Sequence, residues 1–179
     1  AGTGGAPGID NYNLISGNNA DGLNVLGATL TLRGSYIGTD VTGNAALGNG
    51  GDGVDLSTSS IVAGPGRDSV TDNVISGNGS DGAQSFSGTI SISGNFIGTN
   101  AAGNRAVPNG ANGLEVSDRF ANPIGPANVI SGNAGDGILV TGSADIFGND
   151  IGVDASGTIP LGNASHGIET RGSATIGLS

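Results

Sequence analysis

The segment Asn13-Leu14-Ile15-Ser16-Gly17-Asn18 decides the fold, because it comes back twice, as Asn-Val-Ile-Ser-Gly-Asn at 73–78 and at 128–133. A second segment keeps step with it. Tyr36-Ile37-Gly38-Thr39-Asp40 returns as Phe-Ile-Gly-Thr-Asn at 96–100 and as Asp-Ile-Gly-Val-Asp at 150–154. The first series is spaced 60 then 55 residues, the second 60 then 54. One long repeat is therefore present three times, over about 13–72, 73–127 and 128–179, in a single domain spanning 1–179.

Each long repeat halves again. A turn glycine followed by a short alternating strand occurs at Gly22, Gly53, Gly82, Gly113, Gly137 and Gly167. Strands at such spacing, with no 3.6-residue period anywhere, indicate a solenoid of about six β-coils, roughly 30 Å long at ~4.8 Å per coil. Alternation points Leu23/Val25, Val54/Leu56, Ala83/Ser85, Leu114/Val116, Ile138/Val140 and Ile168/Thr170 inward. It points Asn24, Asp55, Gln84, Glu115, Leu139 and Glu169 outward. A later strand brings Leu30/Leu32, Ile61, Ile90/Ile92, Ile124, Ile146 and Ile176 inward, with Thr31, Ser60, Ser91, Pro123, Asp145 and Thr175 outside. Asn18, Asn78 and Asn133, alternating with Asn95 and Asn149 (Ser35 in the first copy), are expected to stack from coil to coil.

Composition agrees and excludes much. Gly is 37 of 179 residues with no every-third-residue period, so the chain is not collagen-like. With 35% hydrophobic residues it is no flexible linker. Zero Cys removes disulfide scaffolds, thiolate metal sites and Cys nucleophiles. A net charge of −10 argues against nucleic-acid binding, and no apolar run approaches a membrane span.

These repeats resemble the right-handed parallel β-helix repeats of secreted and surface-attached bacterial proteins, within the pectate-lyase-like superfamily. The likeness runs from about Ile9 to the end of the chain. It implies a right-handed parallel β-helix and an extracellular setting, secreted or at the cell surface. It says little about role, because the repeat is scaffold. The pectin-active lyases and hydrolases of that superfamily imply polysaccharide as the substrate class if the chain is an enzyme.

The enzyme motifs are missing. Polygalacturonase-like enzymes use an Asp-Asp pair and an Arg-x-Lys; this chain has no Asp-Asp and no Lys. The nearest echo is Ser165-His166-Gly167 with Arg171 downstream, yet His166 falls in the repeat column Asp21, Asp52, Asp81, Asn112, Asp136, His166. Tolerance of positive φ before a turn glycine is the expected reason for those residue types. The Pro65–Asp72 segment reads as the most irregular stretch. Pectate lyases need a Ca²⁺-binding carboxylate cluster; the acids of the outward stripe stand about 10 Å apart, too far to share one ion, so Ca²⁺ is a candidate cation without a motif and no cofactor is expected.

Binding candidates are Asp55, Glu115 and Glu169 on the outward stripe, two coils or about 10 Å apart, and Tyr36 and Phe96, which share a column. Long turns at 39–49, 99–109 and 153–163 should stack as a wall on one side, where solenoids often bind partners. The Thr/Ser row would suit ice binding but is broken by Pro123 and Asp145. The reading is a non-enzymatic structural or adhesive module, an excerpt of a longer chain. Its partners would be a polysaccharide, another surface protein, or a second copy joined end to end through exposed strand edges. A polysaccharide-binding or -degrading module is the alternative.

Overall fold

A computed structural model describes residues 12–58, 68–86, 88 and 90–177. They form 18 strands and no helix, and nothing among them is long and apolar enough to cross a membrane as a helix. The strands make three parallel sheets of six. The first sheet holds β1 (Leu14–Ile15), β4 (Tyr36–Ile37), β7 (Val74–Ile75), β10 (Phe96–Ile97), β13 (Val129–Ile130) and β16 (Asp150–Ile151). The second holds β2 (Leu23–Leu26), β5 (Val54–Thr58), β8 (Ala83–Ser85), β11 (Leu114–Val116), β14 (Ile138–Val140) and β17 (Ile168–Thr170). The third holds β3 (Thr31–Arg33), β6 (Asp68–Thr71), β9 (Ile90–Ser93), β12 (Asn122–Ile124), β15 (Ser143–Ile146) and β18 (Ser173–Ile176). Three successive strands make one coil, and each strand pairs in parallel with its counterparts in the coils above and below. The chain is an all-β parallel β-helix of six coils.

Repetition dictates this packing. Equivalent residues lie in register, so like side chains stack on like. One interior column runs Ile37, Ile75, Ile97, Ile130, each fully buried. Another runs Val54, Ala83, Leu114, Ile138. Inward Ser85 sits in this core with its hydroxyl donating to Asp118 Oδ2 at 2.5 Å, so its polarity is answered there. The turn glycines Gly22, Gly53, Gly82, Gly113 and Gly137 are required by close approach, whereas Gly167 in the last coil has room. A Cβ on Gly113 would come within 2.6 Å of the Gly137 carbonyl oxygen and 2.8 Å of Asn133 Nδ2.

Three expectations change. Val70, not Ile61, fills the second-coil place in the column Leu32, Val70, Ile92, Ile124, Ile146, Ile176, and Ser69 rather than Ser60 pairs with Thr31 and Ser91. Ile61 and Ser60 lie outside the described residues. The strand comes later because more chain separates β5 from β6 than separates the same strands in other coils. Much of the Pro65–Asp72 stretch is consequently regular strand β6.

The asparagines form two ladders rather than one. Asn18, Asn49, Asn78, Asn109, Asn133 and Asn163 pass amide-to-amide hydrogen bonds of 2.7–3.0 Å up the helix. Asn73, Asn95, Asn128 and Asn149 make a second series at 2.8–3.0 Å, with Asn73 Oδ1 accepting the Ser35 N–H. Asn95 and Asn149 thus belong with Asn73, and the missing members of the first ladder come from the ends of the long turns.

Those long turns stack directly. The Ala101 N–H donates to Gly43 O at 2.9 Å, and the Ala155 N–H to Gly103 O at 2.8 Å. Each turn is closed by one side chain. Asp40 Oδ1 accepts the Thr42, Asn44 and Ala45 amides, and in the later copies Asn100 Oδ1 accepts those of Asn104 and Arg105 and Asp154 Oδ1 those of Thr158 and Ile159. Arg33 meets Asp72 at 3.0 Å on an exposed edge. Arg33→Ala is expected to change unfolding free energy by less than about 0.5 kcal/mol in urea titrations, because both groups are solvated.

Candidate functional site

The outer face of the second sheet gathers the titratable groups. Two columns build it. The first is Asp21, Asp52, Asp81, Asn112, Asp136, His166, which precedes the turn glycines. Side-chain oxygen in one coil accepts the backbone N–H of the column residue in the next. The distances are 2.9 Å for Asp21 to Asp52, 2.9 Å for Asp52 to Asp81, 2.6 Å for Asp81 to Asn112, 2.9 Å for Asn112 to Asp136 and 2.9 Å for Asp136 to His166. This corrects the positive-φ reading. Among the described non-glycine residues only Asp72 and Ala127 have positive φ, so the column is selected for a short side-chain acceptor.

The second column is the outward stripe, paired in register as Asn24, Asp55, Gln84, Glu115, Leu139, Glu169. Asp55, Glu115 and Glu169 therefore share one face, with Gln84 and Leu139 between them. Tyr36 and Phe96 stand elsewhere, in the first sheet, stacked through Val74. Their rings lie over the glycines of the long turns: a Cβ on Gly43 would be 3.1 Å from Tyr36, and one on Gly103 would be 2.6 Å from Phe96. Tyr12 packs on Tyr36 with ring centroids 4.8 Å apart. The candidates thus split into an acidic face and a pair of turn-packing aromatics.

The two columns interact, and the outcome differs along the helix. Asp81 is 3% exposed, and desolvation pushes its carboxyl up to about 7, against the Asn112 amide. The charges of Asp52 and Glu115 push the same way, and the protonated carboxyl hydrogen-bonds Glu115. Asp52 is also raised, first by burial and then by Asp21 and Asp55. Asp136 goes the other way. Burial opposes its charge, but the His166 amide, the Ser165 hydroxyl and the His166 imidazole hold it at about 2. Identical positions in the repeat thus titrate in opposite directions: at Asp81 burial and the charges of Asp52 and Glu115 prevail, whereas at Asp136 the hydrogen bonds from His166 and Ser165 do.

At the last coil His166 Nδ1 lies 2.9 Å from Asp136 Oδ1 and 3.6 Å from Glu169 Oε2. Arg171 Nε holds the other oxygen, Glu169 Oε1, at 2.7 Å. Sequence reasoning singled out Glu115 and Glu169 but missed Asp81 and Asp136, which it absorbed into the turn column. The signal was present in the spacing: column and stripe are three residues apart, so each acid of one faces the other in its own or the adjacent coil. No protein-family model, curated protein or solved structure matches this chain.

Proposed function

We propose that this β-helix is a non-enzymatic structural or adhesive module of an extracellular bacterial protein, a rigid rod that displays its acidic face and its wall of long turns. One observation carries the reading. The side chains that recur in the repeat are spent on joining coil to coil: the asparagines bond each other, and the turn-column acids accept the next coil's amide. A chain that commits its polar residues to its own stacking is built for stiffness. The extracellular setting rests on the resemblance of the repeats.

A second reading, a polysaccharide-binding or polysaccharide-degrading module, is favoured by Asp81 and Glu115. A carboxyl that keeps its proton to about pH 7 beside a carboxylate is the pattern of a paired acid and base. Ice binding draws no support from the third sheet, where Pro123 and Asp145 stand side by side in the Thr/Ser row.

A panel of acidic and neutral polysaccharides, with and without Ca²⁺, separates these readings when scored for both binding and cleavage. The rod reading expects no cleavage; adhesive use adds binding that weakens when the long turns are altered. Cleavage that disappears in Asp81→Asn or Glu115→Gln would overturn the rod and establish the enzyme.

A further inference from the structure

The geometry points to a transition-metal site at Asp136, His166 and Glu169, with Zn²⁺ as the ion it fits. One ligand atom from each residue lies within 4.8 Å of the others. Ligands 2.0–2.1 Å from a tetrahedral Zn²⁺ stand about 3.3 Å from one another. The separations from His166 Nδ1, 2.9 Å to Asp136 Oδ1 and 3.6 Å to Glu169 Oε2, bracket that value. Small side-chain rotations would admit the ion.

The donor set selects the metal. An imidazole nitrogen with two carboxylate oxygens suits Zn²⁺, Ni²⁺ or Cu²⁺, whereas Ca²⁺ wants six to eight oxygens. Three protein ligands leave a fourth position for water or an external group. His166 is 65% exposed by side chain, so that position opens to solvent. Asp136 is 92% buried by side chain and fixed by the His166 amide, which anchors one ligand firmly.

Glu169 offers Oε2 while Arg171 occupies Oε1. Any hydrogen on His166 Nδ1 moves through solvent to Nε2 as the metal takes Nδ1, so a neutral ring stays neutral. Arg171 is the opposing charge: it competes for Glu169 and repels the ion.

His166 also breaks its own column in a telling way. The other five members are Asp or Asn, each a short oxygen acceptor, and only the last coil replaces them with a ring. Only there does the stripe place a Glu three residues on with an Arg behind it.

The chain has a single His, so its imidazole resonances report this site alone. Titrating ZnCl₂ into the ¹⁵N-labelled protein is expected to shift or broaden those signals to saturation at one equivalent, while CaCl₂ leaves them in place. By calorimetry with ZnCl₂, Glu169→Gln should bind about tenfold more weakly or worse, and His166→Asn should lose the site. Arg171→Ala should bind more tightly, and Asp145→Asn, on β15 of the third sheet and outside the triad, should match the parent. His166→Asn is chosen because Asn112 holds the same column place, so the coil survives; far-UV circular dichroism checks this. The proposal is overturned if one equivalent of Zn²⁺ leaves the imidazole signals unmoved, or if folded His166→Asn binds Zn²⁺ as the parent does.

Discussion

Asn109→Ala is expected to destabilise the whole helix by roughly 4 kcal/mol, read as a shift of the urea midpoint followed by circular dichroism. Four hydrogen bonds meet at this side chain. Its Oδ1 accepts the Asn78 amide at 3.1 Å and Asn78 Nδ2 at 3.0 Å, and its Nδ2 donates to Ile75 O and to Asn133 Oδ1, both at 3.0 Å. Asn109 is 0% exposed and Asn78 2%, so water cannot replace what is lost. The Asn78 amide is left buried without its acceptor, which by itself costs about 1–3 kcal/mol. A second variant separates bonding from space-filling. Asn109→Asp keeps the acceptor but turns the donor into a carboxylate oxygen facing Ile75 O and Asn133 Oδ1. It should be as damaging as Ala at neutral pH and partly recover in acid, when the added oxygen carries a proton. Asn18→Ala, at the first coil, loses only the bond to Asn49 and should cost about 1 kcal/mol. If Asn109→Ala cost no more than Asn18→Ala, the ladder would not be what stiffens the rod.

The same ladder shows which features could be read from sequence. A repeat forces equivalent residues into register, so the interior columns followed from spacing and alternation alone. Spacing could not show which asparagine meets which, because Gly-Asn pairs feed both ladders, at Asn18 and Asn78 as at Asn95 and Asn149, and the long turns hide the members Asn49, Asn109 and Asn163. Val70 rather than Ile61 holds the second-coil place where the repeat itself varies, at the extra residues before β6. The acidic stripe was legible as a stripe. Its chemistry was not, because protonation at Asp81 and Asp136 depends on burial and on which side chains the fold brings against each. Neither is a property of the residue's place in the repeat. His166 was explained away for a related reason: its column position accounts for a short acceptor, whereas its ring is used on side-chain contacts that only folding creates.

Replacing Asp81, which carries a proton near neutrality, should stabilise the protein where its natural form is weakest. In the folded chain Asp81 keeps its proton to about pH 7, whereas an unfolded carboxyl loses it near 4. Between those values the folded state binds more protons than the unfolded one, so stability falls as pH rises through the window and levels off above it. Asp52, also raised, adds to the same slope. Asp136, held at about 2, acts in the opposite sense and withdraws its stability only in stronger acid. With a net charge of −10 at neutrality, self-repulsion reinforces the fall, and the melting temperature should peak at about pH 4–5. Asp81→Asn copies the protonated carboxyl: Oδ1 still accepts the Asn112 amide, and Nδ2 takes over the donation to Glu115. Asn112 already fills this column position, donating its own amide to Asp81 and accepting that of Asp136, so the substitution suits the coil. Melting curves of parent and variant should run parallel below pH 4, diverge from 4 to 7, and stay apart above 7. The variant should then be ahead by about 2 kcal/mol, allowing for solvent screening of a partly open face. A constant offset at every pH would mean that Asp81 is ionised throughout. The acid–base pairing with Glu115 would then fall, and with it the observation that favours a polysaccharide-active reading over a passive rod.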